Sequence, residues 1–171
     1  MMAKVDYTNL ISEPRDNVVS LISNTDNVVD PTTSSAEYRK WIYSRDPDIK
    51  SSSFAGYPFI VINPARIDTS GAANMDSSNR FVNWTIDIEV VSSDRGYGES
   101  DGKGLTHNDA VTNDVLQTLL DITNRQTLRE QGMAFGKPVV SDVLIEPLKE
   151  ELTYRRIITV PFDGNWTKTT A

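Results

Sequence analysis

The run Phe81-Val82-Asn83-Trp84-Thr85-Ile86-Asp87-Ile88-Glu89-Val90 decides the fold. Successive side chains of a strand point to opposite sides, so Val82, Trp84, Ile86, Ile88 and Val90 share one face and Asn83, Thr85, Asp87 and Glu89 the other. That alternation predicts a strand with one face in a core and one in water. Downstream, SSDRGYGESDGKG at 92–104 holds four glycines and reads as a loop, because glycine there lowers the tendency to any regular element. Leu105, Val111, Val115, Leu119 and Ile122 then recur at helical intervals, with Leu116 and Leu120 widening the stripe. They predict a helix of roughly 15 residues over 106–122, capped by Thr106 or Asn108 and laid along one face of the sheet. Leu128 and a terminating Gly132 add a further turn or two of helix.

The remaining strands flank this unit. Residues 139–145 and 152–162 read as a hairpin joined by Glu146-Pro147-Leu148-Lys149-Glu150-Glu151, a longer connection than the tight two-residue type. In the last strand Arg156 shares parity with Tyr154, Ile158, Val160 and Phe162, so it is expected at the edge of the core face or paired with an acid. The tail, 164–171, is polar apart from Trp166 and is expected to fray. Upstream, Tyr57-Pro58-Phe59-Ile60-Val61-Ile62-Asn63 predicts a first core strand with its proline at the start, and 64–79 a loop. A short helix is expected from a capping Ser12, with Glu13 and Pro14 in its first turn and Val18, Val19 and Ile22 as its stripe. Residues 24–57 form an irregular arm rich in Ser, Asp, Thr and Pro, with Tyr38, Trp41, Ile42, Tyr43 and Phe54 set in it. These large groups either fold back over the same domain or anchor in a neighbouring subunit, where Trp, Tyr and Arg are enriched. The fold class is therefore α+β, one domain over 1–171: a small, mainly antiparallel sheet of about four strands with helices on one face, plus a long irregular N-terminal arm.

Composition narrows the function. A chain of 171 residues is long enough for one domain with a proper core. Its hydrophobic content, 38%, leaves part of the chain outside that core. The net charge of −7 opposes condensation onto nucleic acid or anionic lipid. An acidic wall could still let DNA pass without sticking. With no cysteine there is neither a disulfide nor a thiolate zinc site. No run of about 18 apolar residues and no basic-then-apolar start predicts a membrane span or a secretory signal.

No set of residues assembles into catalytic chemistry. His107 is the single histidine, and without a partner it supports neither a triad nor a metal cluster; a polar surface position is expected. Gly102-Lys103 is followed by Gly104 rather than Ser or Thr, and Tyr97 stands where a phosphate loop carries glycine. Asp94, Glu99 and Asp101 do not follow the calcium-loop ligand spacing. Asp87 and Glu89 are the ordinary carboxylates of a wet strand face, and the sequons at Asn83 and Asn165 lack a secretory context. No cofactor and no metal are expected. A small open sheet does leave edges to be managed, and a repeated heterologous contact with a closing rotation makes a ring.

The order of elements resembles the tail terminator (tail completion) proteins of long-tailed bacteriophages, and more loosely the small neck proteins that join phage head to tail. The residues carrying it are the helix at 12–23, the strand beginning Pro58-Phe59-Ile60-Val61-Ile62, the Trp84 strand at 81–91, the loop, the helix at 106–122, and the closing strands with Glu150-Glu151-Leu152-Thr153-Tyr154-Arg155-Arg156. The match covers about two thirds of the chain; the segment 24–57 is longer than the family pattern. The resemblance implies a non-enzymatic virion protein of the tail neck, assembled in the host cytoplasm. Its implied form is a hexameric ring that caps the tail tube protein, ends polymerisation and meets the head connector or head-closure protein, with DNA passing through the lumen unbound. Trp41, Tyr43, Arg95, Tyr97, Glu99, Asp101, Lys103 and Arg155 are the expected interface residues. A head-closure or connector role is the alternative within the class, and a small-ligand-binding or enzymatic α+β domain the alternative outside it.

Overall fold

The structure, a computed structural model, describes residues 5–6, 11–23, 27–32, 39–68, 79–94, 103–148 and 151–167. Two long strands form its spine: β5 (Asn79–Ser93) and β9 (Glu151–Thr167), antiparallel along their whole length from Asn79 opposite Thr167 to Ser93 opposite Thr153. On the outer side of β5 lie β3 (Phe59–Ile62) and β4 (Arg66–Asp68), both antiparallel to it, and β2 (Ile42–Tyr43) pairs parallel to β3. On the outer side of β9 lie β6 (Met133–Phe135), β7 (Val139–Val140) and β8 (Leu144–Leu148), all antiparallel, with β1 (Val5–Asp6) parallel at the far end. The expected α+β architecture with a mainly antiparallel sheet is thus present; the described residues give the sheet nine strands rather than about four, made mixed by the parallel β1 and β2.

The edge along β9 is one strand broken twice. Phe135 stands opposite Phe162, Val139 opposite Thr159 and Leu144 opposite Arg155. At each break the register slips by one residue, so the edge chain carries an extra residue there, as in a β-bulge. Bulges and short segments are how sheet edges avoid open-ended pairing.

Among the described residues, three helices cover a single face, as expected. They are α1 (Ser12–Ile22), α2 (Gly104–Leu120) and α3 (Ile122–Glu130). Val82, Trp84, Ile86, Ile88 and Val90 are all buried and join Ile158, Val160 and Phe162 of β9 beneath Val18, Ile22, Val111, Val115, Leu119 and Leu128. Trp84 is 1% exposed and is among the largest fully buried side chains. The alternation in 81–90 therefore sets which face the helices take.

Several expectations need correction. Ser12 does not cap α1: the helix starts from Ile11, which makes no side-chain capping bond, while Pro14 does occupy the first turn. α2 starts at Gly104, so neither Thr106 nor Asn108 is its cap, and it ends at Leu120. Asp121 breaks the chain there and caps α3 instead, its Oδ1 accepting from the amides of Thr123 (2.9 Å) and Asn124 (3.0 Å). The buried stripe of α2 is Gly104, His107, Asn108, Val111, Thr112, Val115, Thr118 and Leu119. Leu105, Leu120 and Ile122 lie off that ridge and are exposed, and His107 is buried rather than at the surface. The hairpin is also tight: Leu148 stands opposite Glu151, leaving a two-residue connection. Pro147 sits on the edge strand, where its missing N–H is tolerated. β4 and β6 occupy stretches with no strand pattern, and β9 runs on to Thr167 where the sequence predicts a fraying tail from Gly164.

The described part of the arm folds back onto the domain. Arg39 and Asp30 pair through Nε and Oδ2 at 2.5 Å. The same guanidinium donates to the carbonyls of Gly56 (2.8 Å) and Pro58 (2.6 Å) and lies over the Trp41 ring. One side chain thereby ties three segments of irregular chain together at the sheet margin.

Candidate functional site

The face of the sheet turned away from the helices carries a charged ladder. Asp87 accepts from Thr159 Oγ1 at 2.8 Å and pairs with Arg66 at 2.8 Å. One turn of the alternation further, Glu89 accepts from Asn63 Nδ2 at 2.6 Å and pairs with Arg155. The two outward carboxylates of β5 are each held between a neighbour from the β3–β4 side and one from β9. Their charges are balanced in place by the two arginines; the Arg66–Asp87 pair, with its arginine 67% exposed, contributes little to stability, while Arg155–Glu89 is more sheltered.

At the end of this face is a small second core. Tyr57, Phe59, Val61 and Val91 are buried, with Tyr43 and Phe54 packed against them. Phe54 meets Tyr57 and Phe59 edge-on at 5.4 and 5.5 Å, and Tyr43 meets Phe59 at 5.9 Å. Burial, and then the charge of Glu151, push the Tyr57 phenol above its ordinary value, with Arg155 opposing. Burial also raises Tyr154, helped by Asp94, which accepts its hydroxyl at 3.3 Å.

Where α2 begins, its N-terminus presses on the ends of β5 and β9. A Cβ on Gly104 would stand 2.6 Å from the Ser93 carbonyl carbon and 2.8 Å from Tyr154 Cε2. Ser92 Oγ donates to Gly104 O at 2.6 Å. The Asn108 amide donates to Val90 O (2.9 Å) and Tyr154 O (3.1 Å), clamping both spine strands from one side chain. Arg156 pairs with Asp109 of α2 at 2.5 Å, which satisfies the expectation that this arginine meets an acid.

Two exposed apolar regions lie at opposite ends of β9. At the β8 end, Leu144 is 53% and Ile145 54% exposed; being adjacent, they point to opposite faces. Val139, Val140 and Leu152 are exposed beside them. At the β6 end, α3 and β6 border a hollow of about 790 Å³ lined by Ile122, Arg125, Gln126, Arg129, Glu130, Ala134 and Phe135. Ile122 is 81% exposed there, and the Arg125 guanidinium lies 5.3 Å from the Phe135 ring centre. Among the described residues, no group of three or more His, Cys, Asp or Glu comes together to hold a metal. No helix of the described residues is long and apolar enough to cross a membrane.

The interface residues expected from sequence divide into two sets. Arg95, Tyr97, Glu99 and Asp101 lie outside the described residues. Trp41 packs against the main core and Tyr43 against the small one, its hydroxyl donating to Lys40 O at 2.9 Å. Arg155 is held by Glu89, and Lys103 is exposed at the cap position of α2. Tyr43 and Arg155 both border the small core, where Arg155 acts on the Tyr57 phenol, whereas Trp41 packs against the main core. What sequence reasoning missed is the pair of apolar ends. Ile122 and Leu105 read as core because they fall near helical spacing, and only the ridge through Asn108, Val111 and Val115 tells them apart.

No protein-family model matches the chain, and no curated protein does. Among solved structures, it is similar to a chain of the "Virion of native gene transfer agent (GTA) particle", at 10% identity and a TM-score of 0.43, over 92% of this chain and 98% of that one.

Proposed function

We propose that this chain is a structural subunit of a phage-like particle and that it works by contact alone. In this reading it forms a ring at the head-proximal end of the tail tube, ends tube growth and offers a surface to the head connector. The observation that carries the reading is the exposure of Leu144, Ile145 and Ile122 at the two ends of β9, because clustered large apolar groups on a soluble surface mark contact sites. The order of elements, which resembles the tail terminators, supports the same reading. A ring needs no catalytic group: one face matches the tube subunit, the other does not, and addition stops. The unmatched face is then free for the connector.

The test is the native mass of the purified protein across a concentration series, followed by mixing with polymerising tail-tube subunits. Rings that shorten or stop tubes support termination. Rings that leave tube growth unchanged but bind the head side would move the role to head closure. A strict monomer at all concentrations, with a melting shift on adding a small ligand, would replace the reading with a ligand-binding domain seated in the α3 hollow.

A further inference from the structure

We infer that the β8–β9 hairpin end of one copy seats in the α3 hollow of a second copy, an inference that rests on the ring reading above. The hairpin end is a finger uncovered on both faces: Leu144 and Ile145 point to opposite sides, Leu152 is 42% exposed on the facing strand, and Glu146 is exposed at the rim. The hollow is its chemical counterpart: Ile122 and Phe135 are its apolar part, and Arg125 and Arg129 against the single acid Glu130 leave its polar border net basic. An acidic and apolar finger thus faces a basic and apolar groove, in a chain whose net charge is −7. Complementary charges of this kind fix register and suppress wrong partners.

The two surfaces cannot meet within one molecule. β8 pairs with β9 at Arg155 and β6 with β9 at Phe162, so strand rise separates them by roughly 25 Å along the same rigid strand. Contact must therefore run from the hairpin of one copy to the hollow of the next. Such a contact, passed from copy to copy, is heterologous and makes a ring when its rotation closes. Ile122 and Ile145 form the buried centre, where anchors carry most of the binding, and the arginine–glutamate contacts form the rim.

The chain has no cysteine, so paired thiols can report the contact directly. Chains carrying only Ile122→Cys are mixed with chains carrying only Ile145→Cys and oxidised. Mixed disulfide-linked pairs are expected in excess over like pairs, and the chain with both changes should give a ladder of linked oligomers. In parallel, Arg125→Glu should raise the association midpoint by about tenfold or more, Glu146→Arg likewise, and the two together should restore most of it. Rings that form in the wild type but show no mixed cross-link and no response to either charge change would overturn this contact and leave the ring reading intact. An excess of Ile122→Cys like pairs would point to a two-fold face and also overturn it. A wild-type chain that stays monomeric at every concentration would remove both.

Discussion

Asp30 and Arg39 form an ion pair at 2.5 Å with each side chain only 6% exposed. A charge this far from water is tolerated because Arg39 also donates to the carbonyls of Gly56 and Pro58, so each guanidinium nitrogen meets an acceptor. Removing Arg39 takes the counter-charge from a buried carboxylate, which then keeps the Thr32 amide and hydroxyl on Oδ1. Arg39→Met should therefore cost about 3–5 kcal/mol, read as a lower urea midpoint. Arg39→Lys should recover only part of this, since a single ammonium cannot reproduce the planar fork.

Asn108 bridges the two spine strands through Val90 O and Tyr154 O. Asn108→Ala removes both donors at a fully buried site, and a loss of about 1–3 kcal/mol is expected in chemical unfolding. Asn108→Leu should do no better, because the two carbonyls lose the same donors. A variant as stable as the parent would show that the ladder alone satisfies those carbonyls.

Gly164 sits where β9 passes beneath Trp84. A Cβ there would stand 2.4 Å from Trp84 Cζ3 and 2.5 Å from Gly132 O. Neither the buried indole nor the backbone can yield cheaply. Gly164→Ala should destabilise by about 1–3 kcal/mol and shift the emission of Trp84.

Tyr57 and Tyr154 have phenols raised above 10.0 by burial. The folded state favours their neutral forms, so their contribution is fully present below the unfolded value and is lost as pH rises from there through the folded value. Stability should fall above about pH 10. The paired variant Tyr57→Phe with Tyr154→Phe should fall less steeply over the same range, measured by melting temperature at pH 9 and pH 11.

The sheet and its core face were legible because the alternation in 81–90 is long and unbroken, and because helical spacing in 105–120 is dense in Leu and Val. The exact face of α2 was not. Leu105 satisfies a hydrophobic pattern, yet the ridge through Gly104, Asn108, Val111 and Val115 is the one that meets the sheet, and its first turn is polar. His107 and Asn108 are buried since they follow that ridge, with backbone acceptors supplied by β5 and β9 for Asn108. β2, β4, β6 and β7 are two or three residues each, too short for any period to register. The arm was unreadable for another reason: its order depends on Arg39 reaching Asp30, Gly56 and Pro58, which no local pattern encodes. The apolar ends of β9 were hidden in the same way, because exposure is a property of packing.

β9 is the partner of β1, β5, β6, β7 and β8 at once. During synthesis β5 leaves the ribosome with β3 and β4 already made but before its full-length partner β9 exists, and α2, α3 and three edge strands follow while that side of the sheet is still missing. A chain stopped at Lys149 should show little strand signal by circular dichroism and should bind a dye specific for exposed apolar surface. Translation of β9 is then the event that covers the Trp84 face, which until that moment is open to chaperones.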